Sequence, residues 1–597
     1  MQRRKTLAGI LAALMAFVCI STSARAAELS TYDNPGWITP KFQPTFSDTS
    51  KAPRRLRSDG DALPASYGFS LDEDGTLAVA GQTPVRDQGS NGVCWAFATI
   101  AAMEANALRT NNDENPDYSE THLVYSTSQY GASKSDISNR EQGYDTTPTE
   151  GGNLYYAASY LMRGTSLGGT LAEETDPFFF TDVKMPYREI ETTKTLGERK
   201  YATVQNIPII QGEKTAVYSA DNDTSVREMM EIKKAVMTYG AVSTSIYWAS
   251  FPRYYSSSTG AYYVDEMQPA NHAVAIVGWD DSFPAERFNS TPPGNGAWLI
   301  KNSWGTGGTT GYKGTGYYWV SYYDGRIGEW TYAIDGVEAY DPYTVIHEYD
   351  FRIDDDTLDI GSYTVVFPRK TDAERVKALR IGVNSPVEFD VRICADYQPE
   401  AGPEDNTFVF IQHISLERPG FYTVPLEQPE LITGECFSIC VDMCSADNKI
   451  YTYSAAARPQ IQSEDETYDA AFIKKSKDKS WNTISAEGGY YPIPCIKAVC
   501  EDLSENNCIR ITGTEPCDEG LAVTVDTDMA KPVLFAAAAY QNGQMVTKAL
   551  LVTKTLRTES EIIILPISQK EGLSYSVFVL DPATLAPLTD KATWTPE

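Results

Sequence analysis

The sequence predicts a multidomain chain: an α+β unit, in which a helical half faces a β half, followed by two all-β modules. Three observations carry this. At 597 residues the chain has room for three or four domains of about 150 residues each. Three segments with a helical period come early, and a group of strand-like runs follows them, the pattern of an α+β unit. Beyond about Tyr340 the helical period fades, and short alternating runs recur at the spacing of a β-sandwich. Composition agrees: 42% hydrophobic and 22% charged residues exclude a disordered chain, a collagen-like repeat or a multispan membrane protein. The formal charge of −30 argues against a nucleic-acid partner, which needs clustered Lys and Arg, and reads as a solvated surface. The 37 tyrosines fit β-rich, extracellular-type architecture.

Taken in order, residues 1–26 read as a signal peptide. Arg3, Arg4 and Lys5 form a basic start, Leu7 to Ile20 an apolar run, and Ala24-Arg25-Ala26 a small-x-small cleavage site. The run is short of the roughly 20 apolar residues of a membrane span. Cleavage removes four basic residues and no acidic one, taking the charge from −30 to −34. Residues 27–62, rich in Pro and polar residues with a basic knot at Lys51, Arg54, Arg55 and Arg57, read as a pro-segment or a linker. The α+β unit is expected over 63–340. Its helices are expected at Val93 to Leu108, Leu154 to Met162 and Ser225 to Tyr239, and its strands at Val242 to Trp248, His272 to Val277, Trp298 to Lys301 and Tyr317 to Tyr323. A β-sandwich is expected over 341–503, with runs such as Tyr363 to Phe367, Ala378 to Val383, Glu388 to Ile393 and Phe437 to Val441. A smaller β module is expected over 504–597.

The informative stretch is Pro84-Val85-Arg86-Asp87-Gln88-Gly89-Ser90-Asn91-Gly92-Val93-Cys94-Trp95-Ala96-Phe97. A cysteine at the head of an apolar helix is more often a buried structural residue. At a helix N-terminus, however, the dipole favours the nucleophilic thiolate. Of the four histidines, His347 and His413 fall in the β region and His122 reads as a helix-start or surface residue. His272 opens the strand Asn271-His272-Ala273-Val274-Ala275-Ile276-Val277-Gly278-Trp279. Downstream, Gly296-Ala297-Trp298-Leu299-Ile300-Lys301-Asn302-Ser303-Trp304-Gly305 offers an amide at Asn302 to fix the imidazole tautomer and an indole at Trp304 to shield that bond.

These three blocks, in this order, closely resemble the papain family of cysteine peptidases, over about Leu63 to Asp335. The resemblance implies Cys94 as nucleophile, His272 as general base and acid, Asn302 as the orienting residue, and Gln88 with the Cys94 backbone N–H as oxyanion hole. Glu150-Gly151-Gly152-Asn153 resembles the glycine motif whose backbone pairs with an extended substrate, placing Gly151 and Gly152 in substrate binding; a tight turn is the plain alternative. No metal or other cofactor is implied, and the expected partners are protein or peptide substrates. The sequence departs from the pattern in three ways. Cys94 and His272 lie 178 residues apart, against about 130–150 around papain itself. Insertions at Asn111 to Pro148 and Asp176 to Asp223 would account for the excess. Cys94 is the only cysteine of this segment, and no long helical pro-domain precedes it.

Eight cysteines follow: Cys394, Cys436, Cys440, Cys444, Cys495, Cys500, Cys508 and Cys517. None has zinc-knuckle spacing and His413 stands apart, so secretion and the even count favour disulfides. Cys436 and Cys440 cannot bond each other, because four strand residues span about 13 Å. Tyr349 to about Cys500 resembles the lectin-like β-sandwich that follows the peptidase in some bacterial surface cysteine peptidases, on Glu348-Tyr349-Asp350-Phe351, Gly420-Phe421-Tyr422-Thr423-Val424, Gly434-Glu435-Cys436-Phe437-Ser438 and Cys495-Ile496-Lys497-Ala498. The run Asp354-Asp355-Asp356 with Asp359 is read as solvated charge, with structural calcium as the alternative. The expectation is a secreted or cell-surface endopeptidase whose β modules contact surface proteins or glycans. An adhesin with an inactive or secondary peptidase domain is the alternative, and intact Gln88, Cys94, His272 and Asn302 argue against it.

Overall fold

The computed structural model describes residues 36–40, 43–46, 63–127, 144, 150–163, 171–172 and 201–339, and most of 344–594 apart from short connecting segments. The signal-peptide reading, the basic knot at 51–57, Cys19 and Cys508 fall outside the described residues. Among the described residues no helix is long and apolar enough to cross a membrane.

The three expected helices form: α1 (Cys94–Thr110), α3 (Leu154–Leu161) and α4 (Asp223–Tyr239), with an added α2 (Glu120–Thr127) that carries His122. Helix α1 is buried over its first fourteen residues, because its small side chains let the β half pack against it closely. Asn153 and Asn222 cap α3 and α4 by accepting from their first backbone N–H groups.

The β half contains β2 (Val242–Ile246), β3 (His272–Asp280), β4 (Ala297–Lys301), β5 (Tyr317–Ser321), β6 (Glu329–Tyr332) and β7 (Asp335–Ala339). Strand β3 is central, antiparallel to both β2 and β4, and β4 continues to β5. Every residue of β2 and β4 is buried, as expected for strands covered on both faces.

One long strand lies outside those expected from the sequence. The segment read as an insertion at Asp176 to Asp223 contains β1 (Tyr201–Gln211), which pairs with β6 and β7 on one side and with residues 420–422 of the sandwich on the other. A hydrophobic cluster accordingly runs from α1 and α3 through β1 into Ile353, Phe421, Tyr451 and Cys495 without a break.

The sandwich is built as expected. One six-stranded sheet runs Val409–Leu416, Val387–Cys394, Cys436–Met443, Ser362–Pro368, Ala471–Lys474, Asn482–Thr483. The facing sheet is centred on Glu374–Val383, paired with Gly420–Leu431 and Ile496–Asp502. Phe437, Ile439 and Val441 enter the core between the sheets, while Cys436 packs in a separate outer cluster. The run Asp354 to Asp356 lies in the strand Ile353–Asp359. Residues 509–594 form a further β module with its own core, including Val523, Phe535, Ile563 and Val579.

Among the described residues the disulfide expectation is corrected: Cys394, Cys436, Cys440, Cys444, Cys500 and Cys517 are not joined in disulfides. Strand alternation sends them to different places: Cys500 into the core between the sheets, Cys495 into the cluster shared with the helices, Cys394 and Cys436 into the outer cluster. His413, which stands apart in the sequence, has its Nδ1 3.9 Å from the Cys444 Sγ.

Candidate active site

Cys94 is the first residue of α1. Val93 caps the helix without a side-chain hydrogen bond, so the first-turn backbone N–H groups face the thiol. The Ala273 N–H, next to His272 at the start of β3, donates to the Cys94 Sγ at 3.3 Å. Strand β3 therefore delivers His272 beside the helix N-terminus, and Asn302 follows directly after β4, the neighbour of β3.

Asn302 Oδ1 accepts from the Ser303 backbone N–H at 2.8 Å and lies 2.8 Å from His272 Nε2. An oxygen already taking an N–H from one side requires the imidazole to donate as well, which leaves Nδ1 as the lone-pair nitrogen. Trp304 stacks on the His272 ring at 4.7 Å and 21°, and Trp248 meets Trp304 edge-on at 4.8 Å. Asn271 anchors the approach by accepting from the Trp248 N–H at 2.7 Å. Gln88 is held at three points: its N–H donates to Ser303 O at 2.8 Å, its Nε2 to Asn91 O at 2.7 Å, and its Oε1 accepts from Ser303 Oγ at 2.5 Å. The four residues singled out from the sequence thus lie in one site.

Gly151 adopts φ 110°, and a Cβ on Gly152 would meet Trp95 Cε2 at 2.4 Å. Only glycine lets that backbone pass so close to Trp95. What passes along it is the chain's own residues 36–38. Ile38 N donates to Gly152 O at 3.0 Å, Gly152 N to Gly36 O at 3.3 Å, and Trp37 forms a parallel bridge with Gly152. A Cβ on Gly36 would stand 2.7 Å from the Cys94 Sγ. The segment continues to Gln43, which bonds Glu213 twice, and to Thr45, whose N–H donates to Asn384 O of the sandwich at 2.7 Å. The composition of 27–62 carries no register on the site; the signal for it is Trp37, which stands beside Ile38 in the sequence and is 2% exposed in the fold.

Under this cover, burial pushes the Cys94 thiol up to about 12, overriding the lowering by the α1 backbone N–H groups and that of Ala273. Burial also takes the His272 imidazole down to about 4, against a smaller raising by Asn302. In this arrangement, with residues 36–38 lying on the site, burial opposes the helix-dipole preference for a thiolate.

A buried charge network behind the site escaped the sequence reading. Arg86 pairs with Glu104 at 3.0 Å, with Glu120 at 3.1 Å and with Asp117; Lys301 Nζ donates to Thr83 Oγ1 at 2.8 Å, and that hydroxyl bonds Glu104. Burial lowers Lys301 to about 8. The network ties α1 to the residue preceding Asn302. Its one sequence signal was Glu104, the lone charge in the apolar run Val93 to Leu108.

Comparison with known proteins places this geometry. Residues 75–323 match the papain family cysteine protease profile. A cathepsin L-like peptidase of Aedes aegypti is 28% identical over 228 residues, 38% of this chain and 52% of the relative. Cathepsin K of Mus musculus is 30% identical over 234 residues, 38% of this chain and 55% of the relative. The chain spans about half the length of the curated relatives it matches. Among solved structures, the cysteine protease and lectin-like domains of Cwp84, a surface layer associated protein of Clostridium difficile, align with TM-score 0.53 and 18% identity, covering 81% of this chain and 96% of that one. The clostridial cysteine protease Cwp84 after propeptide cleavage aligns at TM-score 0.51 and 20% identity, covering 70% of this chain and 96% of that one. The fold is a papain-like domain followed by a large all-β region.

Proposed function

We propose, from the papain-family cysteine peptidase domain that the chain carries at residues 75–323, that this protein is a secreted or surface-associated cysteine endopeptidase made as a covered precursor. Cys94 is the nucleophile, His272 the general base and acid, Asn302 the residue that orients His272, and Gln88 with the Cys94 N–H the oxyanion hole. The observation that carries the reading is the juxtaposition of a helix-capping thiol bonded by Ala273 N–H with an imidazole held by Asn302 at 2.8 Å.

In the uncovered site the thiol proton passes to His272 Nδ1, and the thiolate attacks a peptide carbonyl carbon. The oxyanion is held by Gln88 and backbone N–H until the C–N bond breaks and His272 protonates the leaving amine. Water, deprotonated by His272, then cleaves the thioester, releasing the acid and restoring the thiol. The Gly151-Gly152 backbone pairs with an extended substrate, supported by its pairing here with residues 36–38. The same pairing supports residues 36–38 as part of a pro-segment that blocks the site; in this reading the segment, within 27–62, is removed by a cut near Arg55. The likeness of the following all-β region to the lectin-like domain of Cwp84 supports a surface-associated setting.

The test is thiol-dependent cleavage of a peptide library by the secreted chain, with N-terminal sequencing of the product form. Cleavage abolished in Cys94→Ala and a new N-terminus near residue 55 are expected. A reduced, segment-free protein that cleaves nothing in the library overturns the reading.

A further inference from the structure

Outside the peptidase half, three side chains of different chemistry meet on the surface of the six-stranded sheet. Asp390 and His413 are register partners on adjacent strands, and Asp390 is also opposite Asp442, two residues before Cys444. Cys444 continues that pairing through its N–H, which donates to Glu388 O at 2.9 Å. His413 Nδ1 lies 2.8 Å from Asp390 Oδ1 and 3.9 Å from Cys444 Sγ, and the three atoms all lie within 4.8 Å of one another. All three residues reach solvent: the side chains of His413 and Asp390 are 50% and 39% exposed, and Cys444 is exposed.

We propose that Asp390, His413 and Cys444 form a surface binding site for a borderline divalent metal ion, zinc above all. The donor set is one thiolate, one imidazole and one carboxylate, the mixture that suits Zn²⁺ and not the oxygen-only preference of Ca²⁺ or Mg²⁺. Zinc bonds of about 2.3 Å to sulfur and 2.0–2.2 Å to nitrogen and oxygen need donors roughly 3.3–3.6 Å apart, so shifts of about half an ångström bring the His413–Asp390 and His413–Cys444 spacings of 2.8 and 3.9 Å to tetrahedral edges. Asp390 and His413 sit on neighbouring strands of one sheet, and Cys444 follows directly after the strand Cys436–Met443, its N–H tied to Glu388 O. The nearby Asp442 is engaged by Arg392 through two bonds, at 2.6 and 3.0 Å, and is left out of the site. Three protein donors leave the fourth position to water. Binding releases the Cys444 proton, and the neutral His413 carries its proton on Nε2. The second such trio, His347, Glu374 and Cys500, is fully buried in the sandwich and carries no such proposal.

The experiment uses the full chain, kept reduced and bearing Cys94→Ala so that no active-site thiol competes. It is titrated with Co²⁺, followed by thiolate-to-cobalt charge-transfer absorption, and then with Zn²⁺ as competitor. One equivalent of Co²⁺ is expected, displaced by Zn²⁺, with the charge-transfer band lost in both Cys444→Ser and Cys444→Ala. His413→Ala and Asp390→Asn each weaken binding at least about tenfold, the loss seen for removing a merely outer partner of a metal site. Thermal melting of the metal-free variants checks that they are folded. Absence of the band, a band that survives loss of Cys444, or binding unchanged in both His413→Ala and Asp390→Asn overturns the site.

Discussion

Gly36 lies against Cys94 so closely that a single added carbon on residue 36 would stand 2.7 Å from the Sγ, with Gly92 backbone atoms at 3.1 and 3.2 Å. The segment that covers the site is fitted to it at the position of the nucleophile, and that fit yields the first prediction. Gly36→Val cannot dock in this register, because thiol and backbone both stand in the way. In the uncut chain it raises the rate of Cys94 alkylation by iodoacetamide at least about tenfold, read by mass spectrometry of the Cys94 peptide. An unchanged rate means the segment does not cover Cys94 in solution.

The pH dependence of that alkylation follows from burial. With residues 36–38 in place the thiol is pushed up to about 12, so little thiolate exists near pH 7. Only the thiolate reacts, and each pH unit below the thiol pKa costs a factor of ten. The uncut chain is therefore expected to react slowly at pH 7 and to rise about tenfold per unit through pH 10. After removal of the segment, water and a protonated His272 return to the site and lower the thiol, so the profile shifts to lower pH. Identical profiles before and after removal would contradict the argument.

Gln88 and Asn302 should separate in their effects. In the proposed mechanism Gln88→Ala removes one oxyanion donor and is expected to lower kcat about 10²–10³-fold with a smaller change in KM. Asn302→Ala frees the imidazole ring, and its effect is expected in the pH profile of kcat as well as in its size. The measurement is steady-state cleavage of a peptide selected from the library.

Gly152→Ala drives a methyl group to 2.4 Å from Trp95 Cε2. Overpacking of this kind costs about 1–3 kcal/mol. The expected result is a lower Tm together with a raised KM, since the displaced backbone no longer pairs with an extended peptide. A raised KM without any loss of Tm would mean that Trp95 yields freely.

Arg380, 3% exposed, reaches out of the sandwich to cap helix α3: its Nη1 donates to Met162 O at 3.0 Å and to Arg163 O at 3.3 Å, and its Nη2 to Thr203 Oγ1 at 3.1 Å. Arg380→Met leaves those buried acceptors without their donor, at about 1–3 kcal/mol or more for the set. Because α3 follows directly from Gly151-Gly152-Asn153, the variant is expected to raise KM more than it lowers kcat, alongside a drop in Tm. Arg380→Lys, which keeps the charge without the fork, recovers only part of both.

Local features of the chain were enough to locate helices α1, α3 and α4 and strands β2 to β5, and to single out Gln88, Cys94, His272 and Asn302, which the fold brings together. The helical period of Val93 to Leu108 and the glycines ahead of Cys94 act between near neighbours, and side-chain chemistry at His272 and Asn302 is readable without knowing what surrounds it. Other features were set only by contacts between distant parts of the chain. Thr45 meets Asn384, β1 joins two sheets, Arg380 caps α3, and Glu104 finds Arg86 inside the core. No local period encodes such pairings. The same holds for the thiols, which a count read as disulfides and strand alternation sends to separate places. It holds too for Cys94: helix position alone argued for a thiolate, while the burial that only the folded chain supplies pushes its thiol up beneath Gly36.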